Sequence, residues 1–138
     1  MMEWRFIDQI LEKTDSHLLA SYAWKEEDCA GHFPGNPVVP GIKLVEMACQ
    51  AGARLWSLRQ SEAGKTALFR SVERALFKKT VRPGDVVAVK VFMQEPSSEN
   101  GFFSFRAESF FYGGPKDGEG VFSAGLRLAG QDFFEVKK

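Results

Sequence analysis

His32 sits in the stiff loop Gly31-His32-Phe33-Pro34-Gly35-Asn36-Pro37, and a helix is expected to open just after it at Pro40-Gly41. Glu46 falls within the first two turns of that helix, and Gln50 follows four residues later on the same face. Imidazole titrates near working pH and can take a proton from carbon. A carboxyl group can return one to a leaving oxygen. The first N–H groups of a helix have no intrahelical partner, and the helix dipole adds to their pull on a negative oxygen. Gly41 at that start would let a substrate approach the backbone closely. Base, acid and anion-holding donors therefore occur in order within one short stretch.

The elements needed to position these groups are readable from periodicity. From Gly41 to Ala63, Ile42, Val45, Cys49, Gly52 and Trp56 recur at helical spacing, as do Leu44, Met47, Ala48, Ala51, Leu55 and Leu58. Such an all-round apolar helix is expected to be buried. A carboxylate in such a face is costly unless paired or functional, so Glu46 favours function. The rest of the chain favours strands. Phe6 to Leu11 and His17 to Trp24 flank the hairpin turn Lys13-Thr14-Asp15-Ser16; Leu68 to Val81 runs to the turn Pro83-Gly84-Asp85. Val86 to Met93 and Phe102 to Phe111 flank a polar loop, and Val121 to Leu128 closes the series after Gly113–Gly118. Ser104, Arg106 and Glu108 alternate with Phe103, Phe105 and Ala107, the period of a sheet with one buried face. One buried helix among about six strands gives an α+β fold with an antiparallel sheet curled round the helix.

Composition bounds the function. The chain of 138 residues, 44% hydrophobic, fits a single domain over 1–138. Its 18 basic and 18 acidic residues cancel, which gives no general case for nucleic acid. Cys29 and Cys49 make no metal-ligand spacing with His17 or His32, and no disulfide framework is suggested. No apolar run reaches the length of a membrane span and no secretory leader is read, so a cytoplasmic protein is expected. His17 reads as an ordinary strand-start residue, and Cys49 as a small buried helix residue. One local bias stands out: Arg70, Arg74, Lys78, Lys79 and Arg82 face Glu73 alone. Strand alternation would set Arg70, Arg74, Lys78 and Arg82 on one side and Lys79 on the other.

The stretch from Gly31 to Gln50 resembles, almost position for position, the signature of the beta-hydroxyacyl-acyl carrier protein dehydratases, the FabZ/FabA group. Phe77-Lys78-Lys79-Thr80-Val81-Arg82-Pro83-Gly84-Asp85 resembles that family's "FKrpVvPGD" segment, and Phe6 to Glu12 resembles its "lVDrVle" opening strand. The resemblance as a whole covers about residues 6–130. The resemblance implies a hotdog fold, in which the sheet wraps one long helix. It also implies dehydration of a (3R)-3-hydroxyacyl thioester to the trans-2-enoyl thioester, with no metal and no redox cofactor.

In that reaction His32 would take the C2 proton, Glu46 would protonate the departing 3-hydroxyl, and the Gly41 N–H would hold the enolate oxygen. Gln50 matches the family's glutamine and takes a supporting hydrogen-bonding role. In this family the histidine of one subunit meets the glutamate of the other, so a homodimer or an oligomer of dimers is implied. The substrate is expected on acyl carrier protein, an acidic partner, with Lys78 and Arg82 as a docking face. Departures from the pattern are Asp28-Cys29 in place of an aromatic pair, Lys43 at an aliphatic position and Met47 at an alanine position. They point to a specialised branch, such as polyene or polyketide-like lipid synthesis. The rival readings are a hotdog thioesterase, which would use a carboxylate-activated water, and a non-catalytic hotdog subunit that binds an acyl carrier.

Overall fold

The computed structural model describes residues 5–29, 35–59, 67–94 and 102–130. His32, the end of the expected helix beyond Arg59, the polar loop 95–101 and the tail from Gln131 lie outside the described residues. Strands β1 (Gln9–Lys13) and β2 (His17–Ala23) precede a short 3-10 turn, Glu26–Cys29, and the helix α1, Gly41–Arg59. Then follow β3 (Ala67–Phe77), β4 (Val86–Met93), β5 (Phe102–Phe111) and β6 (Gly120–Gly130). They form one six-stranded sheet in the order β1-β2-β4-β5-β6-β3, with every neighbouring pair antiparallel. Helix α1 packs against β2, β3, β4 and β6. This is the α+β hotdog arrangement expected from the sequence.

Alternation explains the layering. On β5, Phe105, Ala107, Ser109 and Phe111 are buried, whereas Arg106 and Glu108 are exposed. On β4, Val87, Val89 and Val91 point the same way into the core. The largest fully buried side chains include Trp24, Phe105, Phe122, Met47 and Leu55, which join helix and sheet in one core. Gly52 makes the close approach possible: a Cβ there would come within 3.1 Å of the Leu128 Cδ1 and 3.6 Å of the Phe105 ring.

The first hairpin closes as expected. The Thr14 N–H donates to the His17 carbonyl at 2.8 Å, and the Thr14 hydroxyl oxygen accepts the Ser16 and His17 N–H groups at 3.2 and 3.1 Å. His17 reaches Glu12 at 3.0 Å on the hairpin surface, in agreement with the ordinary reading of that histidine. Strand β1 begins later than the expected Phe6, because Phe6 turns inward: its ring packs against Tyr22 and Trp24 at 5.5 and 4.9 Å. The helix also departs from all-round burial. Lys43, Glu46, Gln50, Ala53 and Ser57 form a partly open stripe at helical spacing, and Ile42 is 65% exposed.

Strand β3 corrects the face assignment of the basic residues. It ends at Phe77 rather than Val81, and its register against β6 shifts between Phe69 and Ser71 and again between Glu73 and Leu76. Arg74 lies at the second irregularity with φ 55°, a left-handed backbone that simple alternation cannot contain. Lys78 N–H turns to the Val121 carbonyl at 2.7 Å, and Val81 accepts the Val39 N–H at 2.8 Å. Lys78 and Arg82 therefore lie in a connection outside the strand, so strand parity does not put them on one face with Arg74.

Candidate active site

The start of α1 is held at both flanks. The Pro40 carbonyl accepts the Lys43 N–H at 3.0 Å. Gly41 meets the edge of the Phe77 ring, which lies 3.2 Å from where a Cβ would stand. That ring stacks on Phe122 at 5.6 Å between centroids and remains 46% exposed. Phe77, which the sequence reading did not assign to the site, thus packs at the helix start beside the expected anion-holding backbone. Its place at the end of β3, in a segment already singled out as a motif, was the available signal.

Glu46 lies on the partly open stripe, not within the apolar face, which removes the argument that burial alone demands a function for it. Its Oε2 accepts a hydrogen bond from Gln50 Nε2 at 3.1 Å. The Gln50 Oε1 in turn accepts the Phe6 N–H at 2.8 Å. One glutamine side chain therefore orients the carboxylate and ties down the segment entering β1. Cys49, beside this pair, is buried, and burial with the added charge of Glu46 pushes its thiol up to about 12. A thiol held neutral this firmly is a packing group rather than a nucleophile.

Ahead of the motif loop, Asp28 is also buried. Its Oδ2 accepts the Tyr22 hydroxyl at 2.9 Å and the Lys25 N–H at 3.0 Å. Burial, then the hydrogen bond to Asp28, hold the Tyr22 phenol well above its ordinary range, which keeps it a donor. The Asp28 carbonyl accepts Lys43 Nζ at 2.8 Å. After the loop, Arg82 Nη1 donates to the Asn36 Oδ1, and the Arg82 N–H donates to Asp85 Oδ2 at 2.9 Å.

The structure thus brings Gly41, Glu46 and Gln50 together on one helix. It engages Arg82 with Asn36, and it pairs Lys79 with Glu119 at 3.2 Å. A cavity of about 370 Å³ between the Gly84 and Gly113 turns contains none of these helix residues. Among the described residues no cluster of three or more His, Cys, Asp or Glu side chains could hold a metal ion, and no helix is long and apolar enough to cross a membrane.

Residues 12–114 match the family model of ApeI-like proteins, described as ApeI dehydratase. The chain belongs to this family. Among curated relatives, the 3-hydroxyacyl-[acyl-carrier-protein] dehydratase FabZ of Lactiplantibacillus plantarum is 44% identical over 77 residues, 56% of this chain and 52% of that protein. The FabZ of Oenococcus oeni is 37% identical over 92 residues, 64% of this chain and 66% of its own length. The chain spans about half the length of the curated relatives it matches. Among solved structures, the dehydratase heterocomplex ApeI:P from Xenorhabdus doucetiae superposes with a TM-score of 0.72 at 16% identity, covering 91% of this chain and 82% of that one. The thioesterase HI1161 from Haemophilus influenzae gives 0.68 at 17% identity, covering 94% and 82%. Dehydratase and thioesterase structures both superpose on this chain, and these structural likenesses establish the hotdog fold alone.

Proposed function

We propose that this ApeI-like protein is a hydro-lyase that dehydrates a 3-hydroxyacyl thioester carried on acyl carrier protein. The observation that carries the reading is the Glu46–Gln50 pair on a helix that opens at Pro40-Gly41 in a chain of this family. His32 takes the C2 proton; the C2 electron pair forms the double bond as the C3–O bond breaks; Glu46 supplies the proton with which the hydroxyl leaves as water. The Gly41 N–H stabilises the enolate oxygen.

A second copy of the chain completes the site in this reading. The stripe of Glu46 and Gln50 is only partly buried by its own chain. At the β3 edge of the sheet, Val72, Leu76 and Phe77 are 38, 57 and 46% exposed, and the Phe77 ring lies against Gly41 at the helix start. An apolar edge beside an open site supports pairing with another subunit that brings its own His32. The acidic carrier would dock where Lys78 lies, beside the helix start.

A single assay tests the assignment. Supplied with a 3-hydroxyacyl carrier protein, the protein should form the enoyl thioester. Release of free acid would instead mark a thioesterase, and no product would mark a subunit that only binds.

A further inference from the structure

Two cations beside the candidate site reach a loop backbone carbonyl and a loop amide oxygen. Lys43 Nζ, from the first turn of α1, reaches the Asp28 carbonyl at 2.8 Å. Asp28 is anchored in turn through its carboxylate to the Tyr22 hydroxyl and the Lys25 N–H, and Tyr22 packs edge-on against Trp24 at 4.7 Å. Arg82, from the β3–β4 connection, reaches the Asn36 side-chain oxygen. Its own backbone is fixed by Asp85, and the same two connections are joined by the Val39 N–H to Val81 carbonyl bond at 2.8 Å. Val39 and Val81 are both buried, so that junction is also packed.

We infer that Lys43 and Arg82 are positioning residues that clamp the two ends of the motif segment, Asp28 and Asn36, against the start of α1 and the β3–β4 connection. His32 lies between these ends in the sequence. A segment tethered at both ends has fewer conformations to lose when a side chain within it must meet a substrate. Hydrogen bonds with a charged donor are the stronger kind. The cost of removing a clamp should therefore appear in turnover more than in substrate binding. That kinetic consequence rests on the dehydratase reading; the clamp itself does not.

The test uses the whole protein with Lys43→Met, Arg82→Met, Asn36→Ala, the Asn36→Ala/Arg82→Met pair, and the conservative Arg82→Lys. Methionine keeps helix propensity and stem volume at position 43, so folding is preserved. Hydrogen exchange in peptides spanning 29–40 should rise about tenfold in the Met variants, whereas β4 and β5 peptides keep wild-type protection. With a short 3-hydroxyacyl thioester on a small neutral carrier, kcat should fall about tenfold at unchanged KM, because misplacement of a reacting group acts on the chemical step. Arg82→Lys should recover part of the loss, and the Asn36→Ala/Arg82→Met pair should be no worse than its worse single member. Wild-type exchange across 29–40, faster exchange in β4 and β5 as well, or raised exchange with kcat untouched would each overturn the inference. If the wild-type protein formed no enoyl thioester, the dehydratase reading would fail, while the exchange comparison would still decide the clamp.

Discussion

At the scale of single residues, the side chains around Glu46 divide between chemistry and support. Replacing His32 by Ala or Glu46 by Gln should each lower dehydration by about 10²–10⁴-fold, measured as enoyl formation, since that is the usual worth of a general acid or base. The two losses should combine to less than their product, because the groups act as a unit. Gln50→Leu leaves the Phe6 N–H without its oxygen, and Phe6 is buried. A loss of about 0.5–1.5 kcal/mol in denaturant unfolding is expected, the net worth of one hydrogen bond. Cys49 sets a limit at high pH. Its thiol is raised from 9.0 to about 12 in the folded chain, so the unfolded chain gives up its proton first. The stability it contributes is complete below pH 9 and is lost as pH rises toward 12, by about 1.4 kcal/mol per unit in that window. Cys49→Ala should flatten that part of the stability profile.

At the scale of elements, α1 serves two masters. Its buried face fills the core, with Gly52 set against Leu128, and its open stripe presents Glu46 and Gln50. Gly52→Val should cost about 1–3 kcal/mol through overpacking while leaving the stripe in place. The β3 edge serves the other half of the proposed site. Leu76→Lys places a charge on an exposed apolar edge residue. It should shift a dimer toward monomer in size-exclusion chromatography with light scattering, with activity falling in step. Mixing inactive His32→Ala and Glu46→Gln proteins under subunit exchange should restore part of the activity, because a mixed dimer holds one intact pair. Demonstrated exchange without recovery would show that the pair belongs to one chain.

Across the whole molecule, the charges that sum to zero are unevenly spread, and existing pairings limit which of them could serve the proposed carrier. Lys79 is paired with Glu119 and Arg82 with Asn36, so reversing either changes more than a docking charge. Lys78→Glu is the cleaner substitution. It should raise KM for carrier-bound substrate and leave a thioester on a small neutral carrier unchanged. The difference should shrink as salt rises, since screening reaches about 8 Å near physiological ionic strength. Equal effects on both substrates would make Lys78 a structural residue.

Much of this architecture was legible in the order of residues alone. Strands β4 and β5 have the expected bounds, and α1 starts at Gly41, because a valine-rich run, the alternation along β5 and a Pro-Gly helix start are local signals that tertiary packing had no reason to override. The pairing of Glu46 with Gln50 was readable for the same reason: residues four apart on a helix share a face wherever the helix lies. What only the tertiary structure decided are contacts between segments far apart in the chain. The Phe77 ring on Gly41, the Phe6 N–H on Gln50, Arg82 on Asn36 and Lys43 on Asp28 join side chains to partners that no periodicity relates. The same holds for β3, whose irregular register with β6 depends on how the chain must leave the sheet to meet the loop before α1. Local spacing sets which face a side chain takes, but the partner waiting at that face is chosen by the path of the whole chain.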